Sequence, residues 1–158
     1  MRRRFVLLAF AALAGCATEE TVEESSRTRC RARPLGDLSR PVELELIAQV
    51  GDELRDVAAG PVALTPLGGG RDGVRLSVRA RNLDGCAVGL VTRVDGVRAG
   101  TLVELREDGE GGWGRPAIDD AFGFVEVPLA PGSEHVVRVL IEDREGRRHA
   151  RTAQVRTE

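Results

Sequence analysis

Val74-Arg75-Leu76-Ser77-Val78-Arg79-Ala80-Arg81 decides the fold. Val74, Leu76, Val78 and Ala80 recur at every second position, with Arg75, Ser77, Arg79 and Arg81 between them. Side chains alternate across a strand, so this period of two puts one apolar row on a buried face and one polar row on the other. Residues 42–50 repeat the theme, with Val42, Leu44 and Leu46 inward and Glu43 and Glu45 outward.

Working outward, the same reading predicts strands over 62–65, 87–95, 101–107, 122–129, 135–143 and 148–156. Turn signals separate them: Gly68-Gly69-Gly70-Arg71-Asp72-Gly73, Asp84-Gly85, Asp95-Gly96, Asp108-Gly109, Pro131-Gly132 and Glu145-Gly146. Nothing longer than a turn or two reads as helix. Short strands with frequent turns predict an all-β fold, an antiparallel β-sandwich of about 7–8 strands over 35–158.

The last hairpin carries a resemblance. Pro131-Gly132-Ser133-Glu134 opens into Val136-Val137-Arg138-Val139-Leu140-Ile141-Glu142, then Asp143-Arg144-Glu145-Gly146 turns and 148–156 returns. This resembles the closing hairpin of immunoglobulin-like and fibronectin type III-like domains. Residues 78–86 look like a core strand and following loop of such domains. The resemblance implies an immunoglobulin-like sandwich. The chain departs from the immunoglobulin pattern in having no Tyr, its Trp113 in a loop, and Cys30 and Cys86 off the usual core strands.

At the other end, Arg2-Arg3-Arg4 precede an apolar run from Phe5 to Leu13 and small residues before Cys16. That order is the pattern of an export signal, and the run is short for a spanning helix, which needs about 20 residues. Leu13-Ala14-Gly15-Cys16 resembles the bacterial lipobox. The resemblance implies that 1–15 is a removed signal peptide and that Cys16 carries diacylglycerol and an N-acyl chain such as palmitate. Two or more chains anchor a protein stably. Ala17 follows the Cys where some lipoproteins have Asp, which implies an outer-membrane destination in a Gram-negative envelope. Residues 16–34 are polar, acidic first and basic later, and read as a flexible tether.

The chain has 158 residues, 23 basic and 25 acidic. Every basic residue is Arg, which fits a GC-rich genome or an anion-recognising surface. The three arginines at 2–4 leave with the signal, so the remainder is mildly acidic, which gives no support for nucleic-acid binding. With Cys16 lipidated, Cys30 and Cys86 form the candidate disulfide of an oxidising compartment. Such a bond contributes about 4 kcal/mol on the chain-entropy account.

The chemistry-bearing residues are sparse. Gly68 to Gly73 matches Gly-x-Gly-x-x-Gly by letter, but a dinucleotide site needs a helix next, and a strand follows here. Ser39, Ser77 and Ser133 lie outside any nucleophile elbow. His135 and His149 sit on neighbouring strands. Pairing 142 with 147 places His135 opposite about 154 and His149 opposite about 140, too far apart for a metal clamp. The carboxylates of Glu107, Asp108, Glu110, Asp119 and Asp120 lack calcium-loop spacing. No catalytic residue, metal or cofactor is expected. Glu110-Gly111-Gly112-Trp113-Gly114-Arg115-Pro116 sets the single Trp among glycines. Trp113, with Arg115 and Glu110, is therefore the binding candidate, and the other reading of Trp113 is a cap over one end of the sandwich.

These features imply a non-catalytic, membrane-anchored envelope lipoprotein, attached through Cys16 and working as an interaction or structural module for an envelope protein partner. The rival readings are a carbohydrate or other ligand module using Trp113, and an enzyme with an unrecognised site.

Overall fold

The computed structural model describes residues 31–109 and 111–158. Cys16, Cys30 and Glu110, with the signal and most of the tether, lie outside the described residues.

The domain is an all-β antiparallel sandwich. In chain order its strands are β1 (Pro34–Leu35), β2 (Glu43–Val50), β3 (Glu53–Asp56), β4 (Thr65–Leu67), β5 (Arg71–Arg81), β6 (Leu83–Asp84), β7 (Val88–Val94), β8 (Val97–Val103), β9 (Arg106–Glu107), β10 (Gly114–Arg115), β11 (Val125–Pro128), β12 (Glu134–Glu142) and β13 (Arg148–Arg156). The only helical piece among the described residues is a 3-10 turn, Val57–Ala59, whose Ala58 amide donates to the Asp56 carboxylate at 2.9 Å.

One sheet is built on β5. β2 pairs along one edge, Leu46 opposite Val78, and β3 extends the sheet beyond it. β10 and β11 take the other edge, Gly114 opposite Ala80 and Val125 opposite Leu76. The second sheet runs β13-β12-β7-β8. Its β7–β8 hairpin turns on Asp95-Gly96, both at positive φ (49° and 83°), the backbone of a two-residue I′ turn. Across the sandwich, the Arg151 guanidinium donates to the Leu44 carbonyl at 2.6 Å and ties the open side of one sheet to the other.

The core follows the predicted alternation. Leu44, Leu46, Val74, Leu76 and Val78 from the first sheet meet Val88, Leu90, Val137, Val139 and Ile141 from the second, all buried. Burying each such side chain contributes about 1.5–3 kcal/mol. Boundaries differ in places. The strand expected at 62–65 lies at 65–67, and Val62 makes only an isolated parallel bridge to Thr157. The strand expected at 101–107 is the end of β8 plus the separate β9. β13 matches the expectation, but its register is Glu142 opposite Arg148. The turn holds one residue more than expected, so His135 faces Val155 and His149 faces Ile141.

The chain joins the domain at one end of the sandwich. Pro34, placed by composition in the tether, begins β1 and pairs with Asp84. Leu35 is buried beside Gly85 and Gly114, where any Cβ would collide with its side chain. The Arg33 backbone amide donates a hydrogen bond to the Asp84 carboxylate (2.8 Å), and its side chain pairs with Glu104 (2.6 Å).

Candidate interaction surface

Trp113 lies on the face of the first sheet that points away from the core. Continuing the β10–β5 register by one residue sets it opposite Arg81, and the β11–β5 register likewise sets Phe124 opposite Ser77. Three rows therefore stand side by side: Glu43, Glu45, Ile47 and Gln49 on β2, Arg81, Arg79, Ser77 and Arg75 on β5, and the two aromatics beyond.

The arginines bind both neighbours. Arg81 and Arg79 each place their guanidinium carbon 4.8 Å from the Trp113 ring centre, and Arg75 sits 5.0 Å from that of Phe124. On the β2 side Arg81 pairs with Glu43 (2.8 Å), Arg79 with Glu45 (3.1 Å), and Arg75 donates to Gln49 (2.6 Å). Arg79 also bonds the Asp108 carboxylate at 2.5 Å, and this bond raises its pKa above the ordinary guanidinium value. Cation–π contacts of this kind contribute about 0.5–1 kcal/mol each at partly exposed positions.

Ile47, Ser77 and Phe124 are buried on this face, although alternation assigns Ile47 and Ser77 to solvent. The segment 116–124 explains it: Gln49 donates to the Ile118 carbonyl at 3.2 Å, holding that loop against the sheet. The Ser77 hydroxyl beneath it has no hydrogen-bond partner. A small apolar layer thus lies outside the sandwich core. The signal for it was present in sequence, since Ile47 interrupts the polar row of Glu43, Glu45 and Gln49.

Of the three binding candidates, Trp113 is half-buried in this cap, and Arg115 is exposed on β10. Arg115 lines an open groove of about 500 Å³ with Asp52, Glu53, Pro116 and Ile118. Glu110 lies outside the described residues. The structure therefore sets Trp113 over the outer face of the first sheet rather than over an end of the sandwich, with its ring stacked by Arg79 and Arg81, and leaves Arg115 facing solvent.

A second cluster was missed in sequence because its members come from separate turns. The His135 ring nitrogens lie 2.6 Å from Ser133 Oγ and 2.6 Å from Asp95 Oδ2. The atoms follow the order of a serine-hydrolase relay, but the proton inventory differs. Ser133 Oγ also makes a short bond to the Ala130 carbonyl, which can only accept, so the single hydroxyl proton is committed there. The Thr157 hydroxyl donates to the same carbonyl at 2.6 Å. The cluster acts as a clasp joining the β7–β8 turn, the 130–133 turn and the chain beside Thr157.

At the tether end, Asp84 and Asp143 are buried carboxylates with full partner sets. Asp84 accepts the amides of Arg33 and Cys86 and pairs with Arg144 at 2.8 Å. Asp143 accepts the amides of Asp84, Glu145 and Arg147. Nearby, exposed Asp37 is held below the usual carboxylate range by bonds from the Ser39 hydroxyl and amide.

No group of three or more His, Cys, Asp or Glu residues among the described residues is placed to hold a metal ion. No described helix is long and apolar enough to cross a membrane. Comparison with protein-family models, with curated proteins and with solved structures finds no match to this chain.

Proposed function

We propose that this chain is a lipid-anchored envelope lipoprotein whose sandwich, of immunoglobulin-like type, works as a non-catalytic interaction module. The supporting observation is where the chain meets the domain. Arg33 and Pro34 are bonded to Asp84 at one end of the sandwich. A domain suspended from Cys16 through that end keeps the far turns and the groove beside Arg115 clear for a protein partner. The Leu13-Ala14-Gly15-Cys16 box supports the anchor, and Ala17 supports an outer-membrane destination.

A Cys30–Cys86 bond is part of the same reading. Cys86 is buried, and Gly85 donates to the Arg33 carbonyl at 2.8 Å, which brings the chain just after Cys30 alongside Cys86. The ligand-module alternative draws on Trp113, whose ring is occupied by Arg79 and Arg81. The enzyme alternative draws on Ser133, whose proton goes to Ala130.

The test is palmitate labelling of the wild type and Cys16→Ser, with in-cell crosslinking and detergent co-purification of the tagged wild type and Arg115→Ala. Label that disappears in Cys16→Ser, with one stoichiometric partner weakened by Arg115→Ala, is the expected result. Label retained in Cys16→Ser, or no enriched partner from the wild type, overturns the corresponding half.

A further inference from the structure

The outer face of the second sheet carries a row of like charges. Arg138 on β12 stands directly opposite Arg93 on β7, and Arg93 directly opposite Arg98 on β8. Adjacent strands lie about 4.8 Å apart, so three guanidinium groups span roughly 10 Å across the sheet. All three residues are exposed, and none makes an ion pair or side-chain hydrogen bond with another described residue.

Like charges placed directly opposite across strands are destabilising. Natural sheets place an acid in such a row, and here the nearest acids are engaged or remote. Glu134 pairs with Arg156 (3.7 Å), Asp95 with His135 (2.6 Å), and Glu142 stands at the far end of β12 opposite Arg148. The position beyond Arg138 on β13 is Thr152, which carries no charge. The repulsion is therefore left for an external anion to relieve.

The surroundings of the row narrow the kind of anion. On one side is Val136, 57% exposed. On the other are half-buried Val91 and Leu140, opposite each other in register. An Arg row flanked by apolar side chains suits a surface where phosphates lie over hydrocarbon, because guanidinium groups take phosphate oxygens while their stems lie along apolar atoms.

We propose that this face, centred on Arg93, Arg98 and Arg138, docks onto the phosphate-bearing headgroups of an anionic bilayer. The proposal rests on the lipid-anchored reading only for keeping a bilayer within reach. The stretch 17–30 spans at most about 50 Å when extended, ample for the sandwich to lie on its side.

The test uses the unacylated chain from 17 to 158, which retains every described residue, in sedimentation with vesicles of phosphatidylglycerol or of phosphatidylcholine. Binding to phosphatidylglycerol alone, weakened by added salt, is expected. Each Arg near an anionic surface accounts for roughly a fivefold gain in partitioning. Arg93→Gln should therefore lose about fivefold, and Arg93→Gln/Arg98→Gln/Arg138→Gln on the order of a hundredfold. Arg71→Gln removes one charge from the other sheet and should leave binding within about twofold. Circular dichroism of each variant checks that the sandwich remains.

No binding to phosphatidylglycerol, or equal losses for Arg71→Gln and Arg93→Gln, overturns the proposal. An acidic protein partner would give the first of these results. Because this chain lacks Cys16, vesicle binding is independent of palmitate labelling, so failure of the anchor and failure of the face are read separately.

Discussion

Asp143 Oδ2 accepts the backbone amide of Asp84 at 3.1 Å, joining the β12–β13 turn to the strand beside the tether. Oδ1 of the same carboxylate accepts Glu145 and Arg147, which shapes the Asp-x-x-Gly turn from within. Removing it leaves buried donors unsatisfied in two segments at once. Asp143→Ala is expected to lower unfolding free energy by about 3 kcal/mol in urea denaturation. A loss under about 1 kcal/mol would show that water replaces the carboxylate.

Gly112 lies at φ 75°, and a Cβ there would stand 2.5 Å from Gly36 Cα and 2.7 Å from Gly36 N. A left-handed residue with a side chain costs about 1–2 kcal/mol before any collision. Gly112→Ala should therefore loosen β1 selectively. Hydrogen exchange is the readout: the Asn82 and Gly85 amides, which bond the Leu35 and Arg33 carbonyls, should exchange faster, while those of β7 and β12 keep their protection. Uniform acceleration would contradict this.

Arg79 joins Trp113 to Glu45 and Asp108. Since the chain has one Trp, fluorescence reports the surroundings of Trp113 alone. Arg79→Ala should red-shift the emission and increase acrylamide quenching, with stability reduced by about 1–2 kcal/mol. An unchanged spectrum would place Trp113 elsewhere.

Ser133 separates the clasp reading from the hydrolase reading. With its hydroxyl donating to the Ala130 carbonyl, Ser133 should stay unlabelled by a fluorophosphonate. Ser133→Ala should cost about 1 kcal/mol in thermal unfolding. A stoichiometric phosphonyl adduct on Ser133 would reverse the assignment of that proton.

The sandwich was legible because its core rows follow a period of two; β13 was found residue for residue and β12 to within one, whereas β5 begins at Arg71, inside the stretch read as a glycine turn. The two-residue strands β1, β6, β9 and β10 were not, since a period cannot be read from two residues. Trp113 stood out by composition, but its stacking between Arg79 and Arg81 depends on register across the β5 edge, set by the length of the loop after Trp113. The Ser133–His135–Asp95 clasp was hidden for a related reason. Asp95 and His135 are 40 residues apart and meet only through the pairing of β7 with β12. The arginine row shares that origin, because Arg93, Arg98 and Arg138 align only when the β7–β8 hairpin register and the long-range β7–β12 register are both known.

The short strand β1 also sets how the domain responds to a pull. Force arriving through residue 31 falls first on Pro34–Leu35, paired with only two residues of β6 and backed by the Arg33–Glu104 bridge. Peeling that strand frees the chain up to Glu43, where β2 begins, and lengthens the leash by about 30 Å at the extended rise per residue. That step strips Leu35 and Val42 from the core while the two main sheets stay paired. A Cys30–Cys86 bond would remove that slack by transmitting tension directly to the sandwich, so the redox state of one bond would set whether the domain hangs on a short stiff tether or a longer extensible one.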